Sequence, residues 1–566
     1  MGRRVGSWRW ALMLVGAVAM AGCGSGGDVG PGVVPDERPV IPDTGTPDAG
    51  VPDAGEPDAG GPDGGEPDTG TPDAGEPDGG QPDAGTPPLP AQSYPTLPGW
   101  SFFGPEAGGP NEALDVAADQ GGNIWVAGGE DGLFLLRRTA SGYAARFERF
   151  TLEDGLRPYG YMKDGSAPPG TPYLKVVSVA GGPAGTAFVG YAGKPKLRTR
   201  ADGTTYLDTA ICESEAVYDV RNQVIHGDPS IYKSGDADRV TLTATGIEVV
   251  HYDISSGPNV VKSDECAEVD GSGSCVRKFY YPGREKVCTI HRLAYEPNTD
   301  SIWFGGNHGF ARGDASYAGD PTCNGQHACS GVFEHVHPAV ANDSGNPLTD
   351  AYFGVAPLPD GDVWFGGANR SVKFLYGTLN GDYWEAQLQT EGFAYHERRI
   401  DIWPDAFYEV RDDGGQTYYT KEMRVDDHVS GMAATGDGRL FASSFVYGLK
   451  ELSSSGAVLR DHTGRLLRDR NGFAPLNTVA IDPRQGDVWV GYRWGGGLSR
   501  MSQGGDGATH LFQELGPTTL GAHPVTRINT HGSGSGRLLL VAFGAKLDAT
   551  GTAKTHAGAL GIYTGP

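Results

Sequence analysis

The chain has 566 residues, with 70 Asp and Glu against 45 Lys and Arg, and so a formal net charge of −25. That balance argues against nucleic acid and anionic lipid as partners, since each demands a basic face. Seven cysteines leave one over from any complete set of disulfides.

At the start of the chain, Arg3, Arg4 and Arg9 precede an apolar run at 11–21 and then small residues before Cys23, the layout of a bacterial secretory signal. The run is shorter than the roughly 20 residues that a helix needs to span a bilayer. The stretch Met20-Ala21-Gly22-Cys23 resembles a lipoprotein processing box, with Met20 where Leu is usual. The resemblance implies cleavage before Cys23, diacylation of its thiol and acylation of the new amino end, and so membrane attachment through the lipid on Cys23. Several acyl chains anchor stably where one does not. The competing reading is secretion with Cys23 left in the discarded peptide. No Asp follows Cys23, which in the usual sorting rule implies the outer membrane.

From residue 24 to about 98 the sequence repeats PDAG, EPDAG, EPDTG and TPDAG, with 15 acidic residues and one basic. Proline every few positions and an almost complete lack of aromatic residues leave nothing to offset the entropy of ordering, so this stretch is a disordered tether. About 75 residues would reach roughly 230 Å as polyproline and about 50 Å as a Gly-rich coil. A calcium site is disfavoured because the carboxylates are spaced by proline and not gathered in one loop.

The rest of the chain repeats a unit. Residues 476–501 (LNTVAIDPRQGDVWVGYRWGGGLSRM) read as an alternating strand, a turn, a second strand, a glycine turn and a third strand. Residues 114–138, 290–312, 352–376 and 429–452 repeat it, and 176–191 and 525–543 are degenerate copies. The second-strand anchors are Trp125, Phe188, Trp303, Trp364, Phe441, Trp489 and Leu539, read as blade-packing residues because they recur at equivalent positions. One such sheet cannot cover its own faces, and irregular spacing favours a propeller with insertions over a solenoid.

The motif D-x-x-G-x-x-W-V-G followed by G-G-L resembles the two-component-regulator type of propeller repeat, and 147–156 (FERFTLEDGL) resembles that family's outer strand and turn into the next blade. The resemblance implies four-stranded blades around a channel, found in sensor domains and in stand-alone extracellular modules. The expected fold is therefore an all-β, seven-bladed β-propeller preceded by a lipoprotein signal peptide and a disordered Pro/Asp/Gly-rich tether. The expected divisions are 1–22 signal, 23–94 lipidated cysteine and linker, and 95–566 propeller, with insertions at about 192–290 and 392–427. Residues 558–564 would be the third strand of the last blade and 100–106 its outer strand, which hides two sheet edges. In the second blade, 246–254 reads as the delayed third strand and 278–287 as the outer one.

Six cysteines remain after Cys23, all between 212 and 329. An even set suits disulfides in an oxidising compartment. The expected pairs are Cys323 with Cys329, Cys266 with Cys275, and Cys212 with Cys288. A metal cluster using His291, His327 or His335 is the rival, but the C-x5-C and C-x8-C spacings are not those of zinc knuckles, and neither metal nor cofactor is expected. The insertion at 392–427 carries Tyr395, Trp403, Phe407, Tyr408, Tyr418 and Tyr419, and reads equally as a binding element or as a hairpin covering a blade edge.

Loops from second to third strands are where a propeller usually binds. They offer Glu130, Asp131, Lys194, Asn307, His308, Asn369, Arg370, Tyr447, Arg493, Trp494 and Lys546. Asn307, His308, Asn369, Arg370, Tyr447, Arg493 and Trp494 form the candidate ligand-binding set, supplying an aromatic platform, amides and charged forks. No G-x-S-x-G elbow, H-E-x-x-H or phosphate-cradling loop occurs. The sequence thus reads as a lipid-anchored binding or interaction scaffold, periplasmic or surface-exposed, whose partner is an envelope protein or polysaccharide. The alternative rests on a resemblance to streptogramin-lyase-like propellers, with W-F-G strands and His308 as the one catalytic candidate.

Overall fold

The structure is a computed structural model that describes residues 89–158, 173–199, 205–212, 217–219, 224–226, 235–252, 254, 260–282, 289–307, 309–319, 331–336, 340–341, 347–348, 351–359, 361–367, 370–374, 408–413, 416–421, 429–469, 472–493, 495–513, 519–548 and 553–565. The signal and most of the tether lie outside the described residues.

The repeat folds as its pattern dictates. In the sixth blade Leu476–Ile481, Val488–Tyr492, Leu498–Met501 and Thr509–Leu511 pair antiparallel in chain order. In blades one, three and six an acid opens the first turn and caps it. Asp482 accepts from the Arg484 amide at 2.9 Å, and Asp119 of the first blade accepts from the Asn123 amide at 3.1 Å and from the Trp125 indole at 3.2 Å. The glycine of the turn follows at positive φ, +82° at Gly122, a conformation that side chains resist.

Seven inner strands follow in order: Asp115–Ala118, Val176–Gly181, Ile290–Glu296, Gly354–Pro357, Val429–Ala434, Leu476–Ile481 and Val525–His531. Each packs on the next and the seventh packs on the first, so the ring closes with seven blades. Six blades have four strands, and the fourth has three among the described residues. Closure uses both ends of the domain. Trp100–Phe103 pairs with Ala559–Tyr563 in the register Trp100 to Tyr563 and Phe103 to Leu560, giving the seventh blade its outer strand.

Between blades the middle strands interlock. Trp125 packs with Ala187 and Val189, which flank Phe188, and Phe188 packs with Ile302 and Phe304, which flank Trp303. The pattern continues from Trp364 to Leu440 and Ala442, from Phe441 to Val488 and Val490, and from Trp489 to Leu539 and Val541. Leu540 then packs with Ile124 and Val126, which flank Trp125. The seventh anchor is therefore Leu540, not Leu539: Leu540 stands opposite Asn529 as Trp489 stands opposite Ala480, and here the pairing runs one step further toward the first turn, to His531 with Leu538. The final glycine of W-V-G also has its reason here. A Cβ on Gly491 would lie 2.3 Å from Val525 Cγ1 and one on Gly366 2.4 Å from Val429 Cγ1, so side chains there would push neighbouring blades apart.

The second blade differs from expectation. Its third strand is Ala237–Leu242, paired with Thr186–Tyr191, and Ile247–Tyr252 is the outer strand. The latter was expected as the third, but the chain returns to the sheet one strand earlier. Cys275–Pro282 was expected to be the outer strand in part; it belongs instead to a separate sheet with Val260–Val269, Val217–Asp219 and Val224–His226. The interruption at 192–290 is thus two excursions on either side of two blade strands. In the other insertion, Tyr408–Asp413 and Gln416–Lys421 form a hairpin.

Candidate functional site

Inner strands begin at the end of the ring where second-to-third-strand loops emerge, because each pairs antiparallel with the middle strand. Asp115 stands opposite Ala127, Arg292 opposite Gly305 and Arg527 opposite Ala542. One-residue bulges lie at this level in blades two, three, five, six and seven, and in blades six and seven the extra residues Asn477 and Thr526 bond to a neighbouring blade. Ser178 Oγ donates to Ile290 O at 2.6 Å, Asn477 Nδ2 to Val525 O at 3.0 Å and Thr526 Oγ1 to Ala113 O at 2.7 Å. The top of the ring is stitched blade to blade.

Three charges meet at this level, Asp115 and Arg292 buried and Arg527 half-buried. Arg292 Nη1 donates to Asp115 Oδ2 at 3.0 Å and its Nε to Phe353 O at 2.9 Å, joining blades three, one and four. Arg527 Nε lies 3.4 Å from Asp115 Oδ1. Asp115 is 1% exposed and also accepts from the Val116 and Val179 amides. Two guanidinium groups thus share one carboxylate. Burial, reinforced by the repulsion of Arg292 and opposed by Asp115, holds Arg527 down to about 9.

Beside this bridge runs a row of rings. His291 lies against Phe353 with centroids 4.3 Å apart, Phe353 meets Phe445 edge-on at 5.1 Å, and the Arg493 guanidinium sits 4.9 Å from the Phe445 centroid. The three rings are half-buried and Arg493 is exposed. The row crosses blades three to six and offers apolar faces, ring edges and one cation on a rigid support.

Of the residues singled out in the sequence, Arg493 and Tyr447 come together, since Tyr447 is two residues beyond Phe445 and bridges to Ala474. Its ring meets Phe473 edge-on at 6.2 Å. Asn307 stands two blades away, its Oδ1 accepting from the Thr289 amide at 3.1 Å, so that oxygen holds its own loop. His308, Asn369 and Trp494 lie outside the described residues, as does the side chain of Arg370. Cys275 is disulfide-bonded. The side chains of Cys23, Cys212, Cys266, Cys288, Cys323 and Cys329 lie outside the described ones. Among the described residues no group of three His, Cys, Asp or Glu could hold a metal ion, and no helix is long and apolar enough to cross a membrane.

No protein-family model and no curated protein matches the chain. Solved structures do, at low identity. PorZ, a bacterial surface component of the type-IX secretion system of Porphyromonas gingivalis, matches at 13% identity and TM-score 0.32, over 80% of this chain and 55% of that one. The extracellular domain of the hybrid two component system BT4673 from B. thetaiotaomicron matches at 13% and 0.27, over 76% and 52%. Sqt1 of Saccharomyces cerevisiae matches at 10% and 0.38, over 84% and 100%. The chain spans about half the length of the first two. These are likenesses of fold alone.

Asp115, Arg292 and Arg527 were not singled out in the sequence. Their signal is positional: each stands two residues before the residue opposite the middle-strand anchor, where other blades carry Ser178, Gly354, Gly431 and Thr478. Charges at a position otherwise held by small residues mark a special use. His291, Phe353 and Phe445 carry no such mark.

Proposed function

We propose that the chain is a binding or scaffold module of the bacterial cell envelope, lipid-anchored through Cys23, that engages an envelope protein or polysaccharide with the second-to-third-loop face of its propeller. The observation that carries this reading is the half-buried row His291, Phe353 and Phe445 capped by exposed Arg493. Rings held at fixed spacing suit the apolar faces of sugars or the side chains of an extended peptide, and the guanidinium supplies an anion fork. A closed ring keeps that row in place without a ligand, which lowers the ordering cost of binding.

The surrounding features fit an envelope setting. The 23–94 linker would hold the module away from an outer-membrane anchor, on the periplasmic or surface side. The pairs Cys266–Cys275, Cys323–Cys329 and Cys212–Cys288 would staple the insertions in an oxidising compartment.

Capture from solubilised envelope tests the reading. The full chain, immobilised through a C-terminal tag, is compared with a Phe353→Ala, Phe445→Ala, Arg493→Ala triple variant, and captured protein and polysaccharide are measured separately. Reproducible capture reduced at least tenfold in the variant is expected. Equal capture by both chains would refute this assignment of the binding face. Labelling with radioactive palmitate, lost in Cys23→Ser, tests the anchor independently.

A further inference from the structure

The channel on the other side of the charge bridge is a well of about 370 Å³. Its walls are small by repetition. Ala117, Ala180, Ala294, Ala356, Ala433 and Ala480 stand at one register of six inner strands, with Asn529 at the seventh, and all seven line the space. The lining runs inward from Ala118, Pro357 and Thr530, next to the first turns of their blades, and stops at Arg527. The volume is near the lower end of small-ligand sites, roughly 300–1,000 Å³.

Arg527 is under-compensated where it meets this well. Its Nε is buried, makes no hydrogen bond and lies 3.4 Å from Asp115 Oδ1. The closer contact of that carboxylate, 3.0 Å, goes to Arg292. Two cations and one anion leave one positive charge at the inner end of an otherwise small-walled cavity. Uncompensated buried charge is costly, and an entering anion would relieve it.

We propose that this well is a binding site for a small monocarboxylate, taken end-on with its carboxylate at Arg527 and its carbon chain along the alanine walls. A single negative charge matches the single excess positive charge. The planar carboxylate suits the guanidinium fork, and the small alanine side chains leave room for its carbon chain. Burial first, and then the repulsion of Arg292, depress the proton affinity of Arg527 at this place. The site is distinct from the aromatic row across the bridge and does not depend on what that row binds.

The test is calorimetric titration of the full chain with butyrate, with butyramide as the neutral isostere and inorganic phosphate as the other anion. Saturable one-site binding of butyrate, none of butyramide, and at least a tenfold loss in Arg527→Gln, or about 1.4 kcal/mol, are the expected results. Equal binding of acid and amide, a preference for phosphate, or an undiminished Arg527→Gln would overturn the proposal. If Arg527→Gln does not fold, phenylglyoxal modification of Arg527 in the unaltered chain decides. Butyrate is expected to slow it at least threefold, and an unchanged rate overturns the assignment. The Phe445→Ala and Arg493→Ala changes should leave butyrate binding unaltered, which separates this site from the loop face.

Discussion

Replacing Asp115 with alanine should destabilise the ring more than its size suggests. The change removes the 3.0 Å hydrogen bond from Arg292, the 3.4 Å contact with Arg527 and the acceptor for the Val179 amide. It leaves two guanidinium groups facing each other in a buried layer. Breaking a buried pair from one side costs about 3–5 kcal/mol. With an unfolding entropy of about 2.1 cal/mol/K per residue, a ring of roughly 470 residues changes by about 1 kcal/mol/K, so the midpoint should fall by about 3–5 °C. Scanning calorimetry reads this directly. The double variant Asp115→Ala, Arg527→Met, which withdraws one stranded cation, should recover part of the loss. A single variant within about 1 °C of the unaltered chain would refute the reading that Asp115 compensates both arginines.

Gly491→Val places a side chain against Val525 of the next blade and should cost about 1–3 kcal/mol by overpacking; an unchanged urea midpoint would count against the close-approach explanation of W-V-G. Trp100→Ala should cost about 3 kcal/mol, since its ring lies 5.0 Å from Tyr563 and 5.1 Å from Phe512 at the closure. Limited proteolysis should then begin at 89–104, and an unchanged cleavage pattern would contradict the role of this strand. Burial lowers His523 below its ordinary value of 6.5, with His556 and Lys546 adding to the effect and the 2.8 Å bond to Gly544 O opposing it. The unfolded chain then binds the extra proton first, so this stability is present above about pH 6.5 and lost as pH falls through the lowered folded value. His523→Asn should flatten the acid slope of the urea midpoint, and a slope left unchanged would exclude His523 as a contributor.

Much of the ring was legible because propeller repeats advertise themselves locally. The acid and glycine of the first turn, the Trp of the middle strand and the glycine after it each answer a constraint within one hairpin or its neighbour, so Asp119, Gly122, Trp125 and Gly491 could be read in sequence. The closing pair of strands was legible too, because the last blade lacked a partner and Trp100–Phe103 had no other use. What escaped depended on bulges and on contacts across the ring. One further strand pair at the turn, His531 with Leu538, moved the seventh anchor to Leu540, and Arg292 reaches Asp115 across 177 positions of chain. The strand order of blade two was hidden because Ala237–Leu242 and Ile247–Tyr252 have similar alternation, and nothing local decides which returns first. The loop residues chosen by type fared unevenly: Arg493 joined a ring stack, while the Asn307 carbonyl is committed to Thr289.

The central claim is that the second-to-third-loop face is where a macromolecular partner docks. Hydrogen exchange of the full chain, with and without the captured envelope component, tests it most directly. The account predicts slowed exchange at 128–132, 445–447 and 493–497, with the first-turn segments 119–122, 435–438 and 482–487 unchanged. Protection confined to those first turns, or to the outer strands, would contradict it.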